Sequence, residues 1–137
     1  VFDVNDPRFL PPGDMPERIS QWCAERGIRA PQTQAEIARS IIESLAQAFA
    51  DAALQTGRIG GVPVESIQIV GGGSQNALLC QRTSDRAGLP VLAGPVEATA
   101  LGSMLVQART TGHLDGTLES LRDLVRRTHN PVRFDPR

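Results

Sequence analysis

The sequence predicts an α/β fold in which helices pack on a short parallel βαβ sheet. Two observations carry this prediction. Apolar residues recur at helical spacing between residues 34 and 57. Two short apolar runs, "SIQIV" at 66–70 and "LPVLAG" at 89–94, flank a segment long enough for one helix. A strand, a helix and a strand joined by short connections form a right-handed unit with parallel strands.

The composition describes one globular domain and excludes several classes of function. The chain has 137 residues, 40% of them hydrophobic, and a net charge of -1, so we expect no nucleic-acid partner and no membrane partner. All 14 positive charges are arginine, which excludes a Walker A loop and lysine nucleophiles within these residues. The absence of a signal-peptide pattern and of a long apolar run predicts a cytoplasmic protein.

The cysteine pattern favours two reduced thiols. Cys23 and Cys80 lie far apart in the sequence, and neither belongs to a C-x-x-C motif or stands near a histidine pair. We therefore expect neither a disulfide framework nor a zinc site.

The N-terminal third is predicted to be an arm followed by two helices. Residues 1–13 contain three prolines and no clean period, so they are expected to form an extended arm. Residues 14–57 are expected to be helical. The first helix, about 15–26, would begin with Asp14 as N-cap and Glu17 completing a capping box, bury Ile19, Trp22 and Cys23, and end at Gly27.

The second helix has the clearest signals. Thr33 and Glu36 have capping-box spacing, and the helix should stop near Gly57, before a turn over 57–63. One face should be apolar. Its members are Ile37, Ile41, Ile42, Leu45, Ala48, Phe49 and Ala52.

Residues 64–112 are predicted to form a βαβα unit. Ser74 would cap a helix over about 75–87, closed by Gly88, and a further helix would cover about 97–111. The first helix should approach the sheet closely through the small residues Ala77, Cys80, Ser84 and Ala87. The second should turn Ala98, Leu101, Leu105 and Ala108 inward and make a close helix contact at Gly102. A terminal helix is expected over 117–128.

Two strands are too few to cover the apolar surface of these helices, because a two-stranded sheet is rarely stable alone. The sequence also opens at Val1 rather than at a methionine. We therefore expect a portion of a longer protein, with an apolar face that could drive self-association where the remaining sheet would pack.

Three glycines, Gly71, Gly72 and Gly73, follow the first strand in "SIQIVGGGSQN". A tight turn needs only one of them. A dinucleotide fingerprint, G-x-G-x-x-G, would require glycine or alanine where Asn76 stands. The third interpretation is a phosphate site, in which glycines let the backbone approach an anion at the N-terminus of the following helix. Asn76 would then add an amide contact to the ligand.

The stretch "IVGGGSQNALLCQRTSDRAGLPVLAGPVEATALGSMLVQA", residues 69–108, resembles the C-terminal domain of the FGGY carbohydrate kinases. The resemblance is closest to the rhamnulokinases, ATP-dependent kinases of L-rhamnulose. "IIESLAQAF" at 41–49 and the arm "FDVNDPRFLPPGDMP" are also similar to segments of that family. The resemblance implies an actin-like (ribonuclease H-like) fold with two domains and a nucleotide in the cleft between them.

The resemblance also implies roles for individual residues. Gly72 would lie against the phosphates of ATP, Gly71 and Gly73 would shape the loop, and Asn76 would contact the nucleotide. Residues 94–102 would form a wall of the site. Within that wall, the helix dipole favours a capping role for Glu97 over a role as an acid or base. No catalytic and no metal-binding residue is assigned here, because the catalytic aspartate and the Mg²⁺ ligands are expected in other segments.

The expected partners are ATP, a small sugar and the N-terminal domain of the same chain, and the isolated chain is expected to be inactive. Ser84, Ser103 and Phe49 depart from residues common in the family. Another sugar, such as fuculose or xylulose, remains open, as do a non-catalytic nucleotide-binding domain of the actin-like superfamily and an interaction domain without nucleotide. His113 and His129 are predicted to be surface residues, and Asp85 to pair with Arg82.

Overall fold

The computed structural model describes residues 1–137 and has five α-helices and three short strands. The helices are α1 (Met15–Glu25), α2 (Gln34–Gly60), α3 (Ala77–Ala87), α4 (Ala98–Thr110) and α5 (Leu118–Thr128). The strands are β1 (Ile67–Ile69), β2 (Val91–Ala93) and β3 (Val132–Phe134), and 3-10 turns cover Pro7–Phe9 and Gly72–Gln75. The α/β class is confirmed. None of the helices has the length and apolar character needed to cross a membrane.

The sheet has the order β1-β2-β3 and mixes two directions. β1 and β2 are parallel, as predicted, with Ile67 opposite Val91. β3 is antiparallel to β2, with Phe134 opposite Val91. The sequence analysis assigned no strand here, because three residues between Pro131 and Asp135 carry too little periodicity to predict one.

The N-terminal segment lies on α1 and α2 with one residue in the core, and a 3-10 turn interrupts the extended arm that was predicted. Phe2 is buried with Ile19, Trp22 and Cys23, the three residues that the sequence predicted to be buried on α1. The backbone N–H of Phe2 donates to the Oγ of Ser44 on α2 at 2.9 Å. Residues 1–13 therefore fold back on α1 and α2, with a 3-10 turn at Pro7–Phe9.

The predicted capping box of α1 is wrong. Asp14 precedes the helix but adopts a left-handed conformation, with φ of 51°, and its side chain accepts no capping hydrogen bond. A capping residue normally has extended backbone angles that direct its oxygen at the free N–H groups. Asp14 therefore marks the start of α1 without capping it.

The capping box of α2 is confirmed. Thr33 Oγ1 accepts from the N–H of Glu36 at 3.1 Å, and a Glu36 carboxylate oxygen accepts from the N–H of Thr33 at 3.3 Å. The helix continues past Gly57 and ends at Gly61, whose φ is 63°. A Cβ at Gly57 would lie 3.0 Å from Cγ2 of Val64. Gly57 therefore allows a close approach of the chain rather than terminating the helix.

The fully buried residues of α2 are small ones, Ser44, Ala46 and Ala50. The predicted apolar face is only half-buried, and Phe49 on it is exposed. The most extensive packing between elements joins α2 to α3.

A cluster of charges joins the same two helices. The Glu43 carboxylate accepts hydrogen bonds from Arg39 at 2.7 Å and from Arg86 at 2.7 Å. Arg82 Nε also lies 3.2 Å from Glu43 Oε1, at an angle too oblique for a hydrogen bond. Burial raises the pKa of Glu43, but the hydrogen bonds from Arg86 and Arg39 lower it by more, so its pKa is below the ordinary value.

The second core lies between α3 and the sheet. Ile69, Cys80, Val91 and Ala93 are buried there. Ser84 is also buried, and its Oγ lies 2.8 Å from the carbonyl of Leu89 and 3.0 Å from that of Phe134. Cys80 and Ser84, two members of the predicted small face of α3, are thus buried as expected. Ala77 is exposed, and Leu79 and Thr83 are buried instead.

The last two helices, α4 and α5, bury fewer side chains than the other helices. Ala98, Leu101, Leu105 and Ala108 form the more buried face of α4, as predicted, but none is fully buried. A Cβ at Gly102 would meet no atom within 4 Å, so the predicted close helix contact is absent. Met104 on α4 is 60% exposed, and Leu121 is the buried residue of α5.

Candidate functional site

The glycine loop begins where β1 and β2 end side by side. The N–H of Gly94 donates to the carbonyl of Ile69 at 2.8 Å, and the N–H of Gly71 donates to the carbonyl of Pro95 at 3.2 Å. Gly71 has φ of 75° and ψ of -165°, a conformation essentially confined to glycine. Gly71 is therefore the glycine that the turn itself requires.

Gly72 and Gly73 are not required by the backbone conformation, since neither has a positive φ. A Cβ on Gly72 would meet no atom within 4 Å, and one on Gly73 would make only ordinary contacts. They are the first two residues of the 3-10 turn, so their N–H groups have no acceptor within it. Neither N–H donates to a carbonyl elsewhere in the chain. Two free donors thus stand at an open surface.

Asn76, rather than the predicted Ser74, caps α3. Its Oδ1 accepts from the N–H of Leu79 at 3.0 Å. Ser74 instead donates from its Oγ to the carbonyl of Gly71 at 2.7 Å and so closes the loop on itself. The Asn76 amide nitrogen remains available, because the cap uses only the oxygen.

The Cys80 thiol contacts two carbonyl groups of the glycine loop. Its Sγ lies 3.9 Å from the carbonyl of Gly73 and 3.8 Å from that of Ser74. Burial raises the pKa of the Cys80 thiol, which keeps it a neutral, weak donor. Cys23 is likewise buried, and both thiols are free, as predicted.

A cavity of about 770 Å³ opens beside the loop. Ser74 and Gln75 line one side of it, and the segment from Ala93 to Glu97 lines another. Gly71, Gly72, Gly73 and Asn76 do not line the cavity; they lie on the loop next to it. The structure thus brings the loop and the predicted wall 94–102 together around one space.

Glu97 stands before the first residue of α4, but its side chain makes no capping hydrogen bond. The predicted capping role is therefore not realised. The Glu97 side chain is exposed, and the residue lines the cavity. A carboxylate there can accept hydrogen bonds from a ligand's hydroxyl or amino groups.

His129 and Asn130 line the same cavity from the end of α5. Both are exposed, as predicted for His129. The sequence analysis gave them no part in the site, because the pairing of β3 with β2 decides their position. His113 is also exposed and does not line the cavity.

This arrangement can bind an anion and an adjoining apolar group. The free N–H groups of Gly72 and Gly73 lie in the turn that leads into α3, and helix N-termini favour negative charge. The neighbouring cavity offers Pro95, Val96 and Phe134 as apolar surface. The loop also lies at the carboxyl ends of two parallel strands, where ligands of open α/β sheets gather.

Known proteins are similar to this chain over most of its length. Residues 1–111 match the FGGY family of carbohydrate kinases, C-terminal domain. The chain is 42% identical over 139 residues to the rhamnulokinase of Pectobacterium atrosepticum, covering 100% of this chain and 27% of that protein. It is 38% identical over 125 residues to the rhamnulokinase of Halalkalibacterium halodurans, covering 91% of this chain and 27% of that protein.

The rhamnulokinase of Klebsiella pneumoniae is 38% identical over 136 residues, covering 99% of this chain and 28% of that protein. The chain therefore spans 27–28% of the length of these relatives. The family match covers the arm, both parallel strands and the glycine loop, and it confirms the resemblance drawn from residues 69–108. The chain belongs to the FGGY family of carbohydrate kinases and carries the actin-like C-terminal domain of that family.

Proposed function

We propose that the protein to which this chain belongs is an ATP-dependent kinase of L-rhamnulose, and that this chain supplies one wall of its nucleotide site. The observation that carries the proposal is the pair of free N–H groups at Gly72 and Gly73, on a loop with open space beside it. The rhamnulokinase relatives support the choice of sugar.

The residues present fit a nucleoside triphosphate. A side chain on Gly72 would project into open space that a phosphate could occupy, so glycine there keeps the backbone accessible. The N–H groups of Gly72 and Gly73 would hold phosphate oxygens, and the Asn76 amide would contact the nucleotide next to them. The cavity beyond Ser74 and Gln75 is within the usual size of small-ligand sites, roughly 300–1,000 Å³.

The chemistry of the reaction is phosphoryl transfer, in which Mg²⁺ neutralises charge on the phosphates and a base accepts the proton of the sugar hydroxyl. The residues of this chain bind and orient the nucleotide. The base, expected near the boundary between the domains, and the metal ligands are assigned to segments outside this chain, as the family resemblance implies. We further propose that the protein acts in the cytoplasm.

The test is an assay of the full-length protein that couples ADP release to a spectroscopic signal. L-Rhamnulose, L-fuculose and D-xylulose are compared with Mg²⁺ and ATP. We expect L-rhamnulose to give the highest kcat/KM. Preference for another of these sugars would contradict the choice of substrate, and turnover with none would contradict the kinase function.

The role of the loop is tested with Gly72→Val. A branched side chain at Gly72 would occupy the open space beside the free N–H groups. We expect the KM for ATP to rise roughly tenfold or more, as for lost hydrogen bonds to a charged group, and the KM for the sugar to change little. Gly60→Ala is the control, since a Cβ there also meets no atom within 4 Å but lies far from the loop in the sequence. An unchanged KM for ATP in a folded Gly72→Val protein would refute the assignment of the loop.

A further inference from the structure

We propose that His129 forms the wall of the nucleotide site that faces the base, and that it makes the site selective for adenine over guanine. The inference rests on the proposed function, because it concerns the ligand of the same cavity. His129 and its neighbour Asn130 lie outside residues 1–111, the part of the chain that matches the family. The family match therefore assigns them no role.

The cavity has the chemistry of a site for a flat heterocycle. Ala93, Pro95 and Phe134 contribute apolar surface, and Gln75, Glu97, His129 and Asn130 place polar groups around it. Binding sites for small ligands combine such apolar walls with a few polar groups that fix orientation. Because Ser74 and Gln75 belong to the glycine loop, a base in this cavity would be next to phosphates held at Gly72.

The segment that carries His129 is held firmly in place. β3 pairs with β2 in register, so that Val132 lies opposite Ala93. The carbonyl of Asp135 accepts from Gln81 of α3 at 2.9 Å, and the N–H of Arg137 donates to Asp85 of α3 at 3.1 Å. The helix that follows the glycine loop thus also fixes the opposite wall of the cavity.

The hydrogen bonds of Thr128 favour one tautomer of His129. The Thr128 hydroxyl lies 2.8 Å from the carbonyl of Leu124, which can only accept. We assign the single hydroxyl proton to this carbonyl, which makes Nδ1 the donor in the contact of 2.9 Å between Thr128 Oγ1 and His129 Nδ1. In the neutral ring, Nε2 is then an acceptor, and no group of the chain donates to it.

An acceptor at this wall distinguishes the two purines. Adenine presents an amino donor at position 6, and guanine presents a carbonyl acceptor at the same position. Nε2 of His129 can accept a hydrogen bond from the amino group of adenine. The carbonyl oxygen of guanine is also an acceptor, so it could form no hydrogen bond with Nε2. Guanine would therefore lose a hydrogen bond that adenine makes, which favours adenine.

The experiment measures ATP and GTP affinity by titration calorimetry, and KM for both nucleotides, with the full-length protein in mildly alkaline buffer. His129→Ala removes the acceptor, and His129→Gln restores an acceptor oxygen. His113→Ala is the matched control, because His113 is exposed and its Nδ1 also lies 2.9 Å from a threonine hydroxyl, that of Thr111.

We expect His129→Ala to weaken ATP binding about two- to tenfold, the range for a lost neutral hydrogen bond, while GTP affinity is unchanged or improved. His129→Gln should recover part of the preference for ATP, and His113→Ala should behave as the wild type. Equal loss of ATP and GTP affinity, or no loss in folded His129→Ala, would overturn the inference while leaving the kinase function intact. A wild-type protein that binds neither nucleotide would overturn both.

Discussion

The charge cluster around Glu43 is expected to make the largest single contribution among the ion pairs of this chain. Glu43→Gln keeps the size of the side chain and removes its charge. Arg39 and Arg86 would then lose the carboxylate that both now contact, and Arg82 would keep only Asp85, at 3.4 Å. The Glu43 side chain is 17% exposed, so water cannot fully replace the lost contacts.

The magnitude follows from the burial of the cluster. Exposed ion pairs contribute about 0–1 kcal/mol, whereas removing one partner of a fully buried pair costs about 3–5 kcal/mol. The Glu43 carboxylate is mostly covered, but its arginine partners are 25–48% exposed. We therefore place the loss between these limits, at roughly 2 kcal/mol.

The assay is hydrogen exchange of the full-length protein followed by mass spectrometry, because it reports on α2 and α3 separately from the other parts of the protein. A loss of roughly 2 kcal/mol corresponds to exchange about 30-fold faster in peptides from the packed parts of α2 and α3. Glu119→Gln is the control. Glu119 is 73% exposed and contacts only Arg122, so its loss should change exchange little.

The dependence on pH provides a second test. The pKa of Glu43 is lower in the folded protein than its ordinary value of 4.5. The stabilisation is therefore fully present above 4.5 and is lost as the pH falls through the folded-state value. The difference between wild type and Glu43→Gln should shrink over the same range, because protonated glutamate resembles glutamine. Equal exchange of the two proteins at neutral pH, or a difference that persists far below 4.5, would refute this reasoning.

Three further predictions concern the caps and the isolated chain. Thr33→Ala should lower the stability of α2 by about 1 kcal/mol, because Thr33 Oγ1 caps that helix. Hydrogen exchange should become faster in the first turn of α2, while ATP affinity should not change. Unchanged exchange there would show that the cap contributes nothing. Asn76→Ser keeps an oxygen suited to capping α3 but removes the amide, so ATP affinity should fall several-fold while α3 stays protected; retained affinity would exclude the amide contact. The 137 residues expressed alone should give no sugar-dependent ADP release, and sugar-dependent turnover would place the catalytic base in this chain. They should also self-associate through apolar surface that includes Met104 and Val106. A monomer at high concentration in sedimentation analysis would contradict this association.

The sequence by itself determined the features that depend on neighbouring residues. The capping box of Thr33 and Glu36 needs only the spacing of two residues, and it formed as predicted. The strand, glycine loop, helix and strand of residues 67–93 are also a local pattern, and their order and parallel pairing were predicted. The family could be recognised for the same reason, because its motifs occupy one continuous stretch.

Tertiary contacts decided the rest. Phe2 is buried because it packs against side chains of α1 and α2. The periodicity of residues 1–13 does not predict this contact. Gly57 lies inside α2 with Val64 close to it, although glycine commonly ends helices. β3, and with it the position of His129 beside the glycine loop, depends on hydrogen bonds to a strand about forty residues earlier. Such pairings are specified by the surface that a distant segment offers, so local sequence does not determine them.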